Sequence, residues 1–156
     1  MFDQNEFWMR KAIEAAETAR DLDEVPIGAC LIDVNGELLA VAGNRTITFS
    51  DPTAHAEILV LREAAAKIGN YRLTETVLYT TIEPCAMCAG ALVNARIARL
   101  IFGAHDERFG AVSSVFQICD TSSLNHQIEI TAGVLAEDCR KLMQDFFRAR
   151  RHAKSI

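Results

Sequence analysis

The chain is 156 residues long, half hydrophobic and 24% charged, with a formal net charge of −5 at pH 7. This is ample apolar material for one continuous core, so a single domain over residues 1–156 is expected. The acidic balance excludes a protein-wide basic field for nucleic acid, so any RNA contact must use a local patch. No apolar run approaches the roughly 20 residues of a membrane helix. The five cysteines are an odd number, and Met1–Glu6 has no basic segment leading into an apolar one. A cytoplasmic, reduced protein without disulfides is expected.

Trp8, Ala12, Ala15, Ala16 and Ala19 recur at helical spacing between Asn5 and Arg20, widened by Met9 and Ile13. The polar Asp21-Leu22-Asp23-Glu24 ends that helix. Pro26 to Ile32 reads as a buried strand, with Cys30 as a small core hydrophobe. Asn35-Gly36 signals a two-residue hairpin, returning through Leu38 to Ala42. After a loop over Thr46–Ser50, a long helix runs from about His55 to Ile68, with Asp51 or Thr53 as its cap. Thr76 to Thr81 is the third strand. A helix follows to about Ala95, with Pro84 in its first turn, where the missing N–H costs nothing.

That helix carries almost no charge, so it must be covered on all sides. One side meets the sheet, and a second copy of the chain is the economical cover for the other. Leu100 to Ala104 is the fourth strand, His105 to Ser123 a long irregular stretch, and Ile128 to Thr131 a short fifth strand. A final helix spans about Leu135 to Arg150, with Leu142, Phe146 and Phe147 facing inward. Strands alternating with helices predict an α/β fold, three layers of αβα around a mixed five-stranded sheet.

The chemistry is concentrated in two short segments. In Glu83-Pro84-Cys85-Ala86-Met87-Cys88, two thiols three residues apart share a helix face and can reach one ion. A thiol pair cannot close a zinc site, which takes about four ligands. His55 of His55-Ala56-Glu57 is the best candidate for a third, leaving the fourth position for water, as in a catalytic zinc site. Two thiolates and an imidazole neutralise the ion, but both segments begin helices, whose N-termini each add about half a positive charge.

Glu57, offset by two residues from His55, points differently from the ligand and suits a proton carrier. The fitting reaction class is metal-assisted hydrolysis, including hydrolytic deamination. The competing readings are a structural zinc knuckle and a solvated H-x-E on a helix face. Cys119 and Cys139 read as structural, and His105, His126 and His152 as surface or capping residues.

His55-Ala56-Glu57 with Pro84-Cys85-Ala86-Met87-Cys88 resembles the cytidine deaminase superfamily. Glu24 to Ala29, Gly43-Asn44-Arg45, Asp51 to Glu57, Asn70 to Leu73, Glu83 to Gly90, Asn125-His126 and Asp145 to Arg151 are similar, more narrowly, to the bacterial tRNA-specific adenosine deaminases. That resemblance implies hydrolysis of the wobble adenosine of a tRNA anticodon to inosine. Zinc would then be held by His55, Cys85 and Cys88, with Glu57 shuttling protons. A zinc deaminase of free bases or nucleotides, guanine or cytosine, carries the same metal motif.

The resemblance further suggests that Asn44 contacts the base, whose edge suits an amide that both donates and accepts; the alternative is a turn residue closing the second strand. Asp106 is read either as a ribose 2′-OH acceptor or as a solvated loop residue. Arg148, Arg150, Arg151, His152 and Lys154 form the dense basic run, suited to phosphates or to a helix C-terminus. Family members are homodimers whose neighbour helps line the RNA groove, which agrees with the uncharged third helix.

Overall fold

The computed structural model describes residues 2–154. Its elements are α1 (Gln4–Asp21), β1 (Gly28–Ile32), β2 (Leu38–Gly43), α2 (Ala56–Ile68), β3 (Val77–Ile82), α3 (Ala86–Ala95), β4 (Arg99–Ala104), β5 (Glu129–Ala132) and α4 (Ala136–Lys154). The strands form one mixed sheet in the order β2-β1-β3-β4-β5. β1 is antiparallel to both β2 and β3, whereas β3, β4 and β5 are mutually parallel. No helix among the described residues is long and apolar enough to cross a membrane.

Side chains alternate between the two faces of a strand, and the two cores follow that alternation. Leu31, Leu78, Leu100 and Phe102 point toward α2 and α3, meeting Val60, Leu61, Leu92 and Val93. Cys30, Tyr79 and Ile101 point the other way, toward Met9 and Ala12 of α1 and Cys139 of α4. The result is the expected three-layer αβα arrangement.

Glycine lets α1 lie directly on the sheet. A Cβ on Gly28 would stand 2.0 Å from the Ala12 carbonyl oxygen, and one on Gly43 would stand 2.5 Å from that of Ala15. The alanine stripe on the helix is the other half of this close approach.

Three local expectations need correction. The hairpin loop is not a two-residue turn. Gly36 has φ +80, but Asn35 is not among the positive-φ residues, whereas a type I′ turn needs both. Asp33 and Glu37 instead close a three-residue loop, with Asp33 Oδ1 accepting from the amides of Asn35 and Glu37. Pro84 does not enter the first turn of α3, because Cys85 is the N-cap and Ala86 the first helical residue. On α4, Phe146 is buried and Leu142 half-buried, but Phe147 is 40% exposed; Cys139 and Met143 complete the inner face instead.

Candidate active site

The sheet directions gather the site at one end. β2 runs the same way as β3 and β4, because each neighbours or follows an antiparallel step through β1. The C-terminal ends of β2, β3 and β4 therefore share an edge, and the chain leaves them at Asn44, Glu83 and His105. Ligand sites of α/β sheets form outside such strand ends.

His55 is the N-cap of α2 and Cys85 the N-cap of α3, both in extended backbone, and neither side chain caps its own helix. Both side chains are thus turned toward one another. His55 Nδ1 lies 3.7 Å from Cys85 Sγ and 3.5 Å from Cys88 Sγ. Tetrahedral zinc, with Zn–N near 2.0–2.1 Å and Zn–S near 2.3 Å, requires an N···S separation of about 3.6 Å. Among the described residues these three form the group with metal-binding geometry, and no fourth side chain joins them. The donor set therefore fits a divalent metal held by three protein ligands.

The electrostatics agree. The Cys85 thiol is brought down to about 4 by its hydrogen bonds with Cys88 and His55. The same contact raises the imidazole, and Cys88, sharing Cys85's charge and buried, moves up. A divalent cation is what allows two adjacent thiolates and a neutral imidazole to coexist.

Glu57 is 3% exposed, and its Oε1 is a buried oxygen with no hydrogen-bond partner. Burial is the largest influence on it, and the carboxyl is lifted to about 7. An orphaned buried acceptor is costly and points to a missing partner in the site.

Asn44 is buried, and its Oδ1 accepts from the Ala56 amide at 2.8 Å. It thereby caps α2 from outside the helix. Neither Asp51 nor Thr53 does so; Asp51 Oδ1 accepts from the Thr53 amide and hydroxyl in a local turn. Asp106 is half-buried, its Oδ1 held by the amides of Arg108 and Phe109.

Two buried carboxylates were not singled out in the sequence. Glu24 is fully buried and accepts from the amides of Ile47 and Thr48 and the hydroxyls of Thr46 and Thr48. Glu83 is 3% exposed and accepts from the amides of Asp106, Val112, Ser113 and Ser114 and from the Ser114 hydroxyl. His105 Nδ1 lies 3.3 Å from the same carboxylate. Burial alone would raise the Glu83 carboxyl, but its donors outweigh that and hold it at about 2. The only signal in the sequence was adjacency, of Glu83 to Pro84-Cys85 and of Glu24 to Val25-Pro26.

Several of the remaining candidates are buried or make contacts within the fold. Cys119 and Cys139 are buried free thiols. His126 Nε2 lies 2.7 Å from the Ile97 carbonyl oxygen, and Arg96 donates to Asn125 Oδ1, so Asn125-His126 packs onto the end of α3. In the basic run, Arg150 donates to the Asp23 carbonyl and stacks 4.5 Å from the Phe146 ring centre, while Arg148 pairs with Asp145. Lys154's side chain lies outside the described residues.

Comparison with known proteins agrees with this site. The family model for MafB19-like deaminases matches residues 3–151. A tRNA-specific adenosine deaminase of Haemophilus influenzae is 48% identical over 97% of this chain and 88% of its own length. A solved structure from work on A-to-I editing by tRNA:A34 deaminases at the wobble position superposes with a TM-score of 0.84, at 40% identity, over 87% of this chain and 98% of the other. A guanine deaminase from Nitrosomonas europaea superposes with a TM-score of 0.79 at 25% identity, over 90% of this chain and 83% of its own. By identity along nearly its whole length, and by a His-Cys-Cys group that could hold a metal beside a buried glutamate, the chain belongs to the tRNA-specific adenosine deaminase family.

Proposed function

We propose that this chain is a zinc-dependent deaminase that hydrolyses the wobble adenosine of a tRNA anticodon to inosine. The carrying observation is the His55, Cys85, Cys88 cluster with the unpartnered Glu57 oxygen beside it, in a chain of this family. His55 Nδ1, Cys85 Sγ and Cys88 Sγ would hold one zinc. When bound, that ion supplies Lewis acidity that makes water nucleophilic near neutral pH.

The chain's own residues manage the protons and the pose. Glu57 Oε1 takes a proton from the attacking water and returns it to the departing amine. The C6–N bond of adenine breaks, a C6–O bond forms, and ammonia leaves. Asn44 holds the base edge through its amide nitrogen, since its Oδ1 is engaged on Ala56. Asp106, with Oδ1 on its own loop, offers Oδ2 to the ribose 2′-OH. An anticodon loop presents an unstacked base without the cost of opening a duplex.

The reading includes one deaminase domain over residues 1–156, acting in the cytoplasm as a homodimer. The exposed apolar side of α3 supports the second copy: Met87 is 37% exposed, with Ala86 beside it and Gly90 and Ala91 half-buried. Five free cysteines agree with a reducing compartment.

A free-base deaminase is the second reading, favoured by the guanine deaminase likeness. Zinc content together with product analysis on anticodon stem-loops and on free guanine, cytosine and adenosine separates the two. Inosine in the RNA, one zinc per chain and no free-base turnover are expected. Turnover of a free base with inert RNA establishes the second reading.

A further inference from the structure

We propose that Glu83 is a positioning residue that fixes the 105–114 loop, and with it Asp106, against the segment presenting both metal-ligating thiols. The inference rests on the proposed reading of Asp106 as a contact to the RNA sugar.

Glu83 leaves β3 immediately before Pro84 and Cys85, so its backbone belongs to the thiol segment. Its own amide donates to the Ala104 carbonyl, and the Pro84 carbonyl accepts from Ala111. The side chain then reaches across to the loop that follows β4. Oε2 takes the amides of Val112, Ser113 and Ser114, while Oε1 takes the Asp106 amide and the Ser114 hydroxyl.

One carboxylate thereby organises both ends of an irregular loop that has no sheet or helix to order it. Gly110 closes over the group: a Cβ there would stand 2.3 Å from Glu83 Cδ and 2.5 Å from the Asp106 carbonyl oxygen. The loop backbone is wrapped on the carboxylate too closely for a side chain.

An amide cannot replace this acceptor. Glutamine can keep its oxygen on Val112, Ser113 and Ser114 only by turning its NH2 group against the Asp106 amide. The reverse orientation sets that NH2 against three amides. Either way a backbone donor is opposed, and the first way releases the rim residue itself.

The test uses the zinc-loaded full-length chain and compares Glu83→Gln, Ser114→Ala and Gly110→Ala with Glu24→Gln. Glu24 is also a buried carboxylate, but it binds the 46–48 loop. Amide hydrogen exchange and steady-state kinetics on an anticodon stem-loop are measured. In Glu83→Gln, exchange across residues 106–114 should quicken by at least about tenfold, the size of one lost charged hydrogen bond. KM should rise by a similar factor, with zinc retained and kcat within about threefold. Ser114→Ala should move both readings the same way by less.

Glu24→Gln should lower Tm without changing exchange at 106–114. Unchanged exchange in Glu83→Gln overturns the proposal. So does faster exchange at unchanged KM, or zinc loss with a collapsed kcat, which would make Glu83 a support for the metal segment alone. If Glu83→Gln does not fold, Ser114→Ala and Gly110→Ala decide by the same readings. If the parent chain leaves RNA adenosine untouched, the functional reading fails; exchange and equilibrium stem-loop binding still decide the positioning role.

Discussion

Glu57 and Asn44 stand one and twelve residues from Ala56, the first residue of α2, and each is tested by separating what its side chain does for the fold from what it does for the chemistry. Glu57 Oε1 satisfies no donor in the fold. Glu57→Gln should therefore leave folding and zinc content intact, while turnover falls by about 10²–10⁴, the usual worth of a positioned proton carrier. Metal analysis beside inosine formation checks this; a variant keeping most of its rate refutes the shuttle.

Asn44 differs, because its Oδ1 caps α2. Asn44→Ala should cost about 1 kcal/mol of stability, as lost helix caps do. Asn44→Asp keeps the acceptor and loses the amide donor, so Tm should recover while kcat/KM stays low. Recovery of both would reduce Asn44 to a cap. The two roles were indistinguishable from sequence, since a turn asparagine and a base-reading asparagine look alike until the acceptor of each is seen.

At the scale of elements, regular structure was legible and its buried polar stitches were not. The apolar period of α1 reports which face packs, and His-x-Glu and Cys-x-x-Cys report their chemistry by spacing. Glu24 and Glu83 carry no such period. A glutamate near a helix end ordinarily reads as solvated, and only the fold brings Thr46–Thr48 or Val112–Ser114 onto it. Gly28 was silent for a related reason: its role is the Ala12 carbonyl passing above it.

Glu24 yields a pH prediction. Burial works to raise its carboxyl, but the donors Thr48, Ile47 and Thr46 outweigh this and hold it below its ordinary value. A carboxyl depressed in the folded state stabilises above its unfolded pKa of about 4.3 and loses that contribution as pH falls through its folded value. Glu24→Gln should therefore be less stable than the parent by roughly 1.5–3 kcal/mol at pH 7. The gap should close in acid, as the pH falls through the depressed folded value. Thermal melts between pH 7 and pH 3 check it; a constant gap would assign the loss to packing.

The whole molecule leaves α3 with two unlike sides. Leu92 and Val93 are buried against the sheet, while Met87 is 37% exposed, Ala86 is exposed, and Gly90 and Ala91 are half-buried. The helix has no acidic residue in its first turn and no basic residue in its last. An exposed helix face without charge is unusual for a surface left to water. It lies on the element that presents Cys85 and Cys88, so whatever covers it also borders the candidate metal ligands. A second copy satisfies both conditions, because small residues at Gly90 and Ala91 allow close approach of a like helix and an isologous contact closes on itself.

Met87→Glu places a charge on that face without entering the core. It should convert a dimer into a monomer in sedimentation at micromolar concentration, with one zinc per chain retained. In the proposed homodimer, activity on a stem-loop should fall further than activity on a single adenosine-containing trinucleotide, because only the longer RNA has the length to reach a second copy. A parent chain that already sediments as a monomer would assign the face to RNA itself, and Met87→Glu would then weaken stem-loop binding with no change in mass.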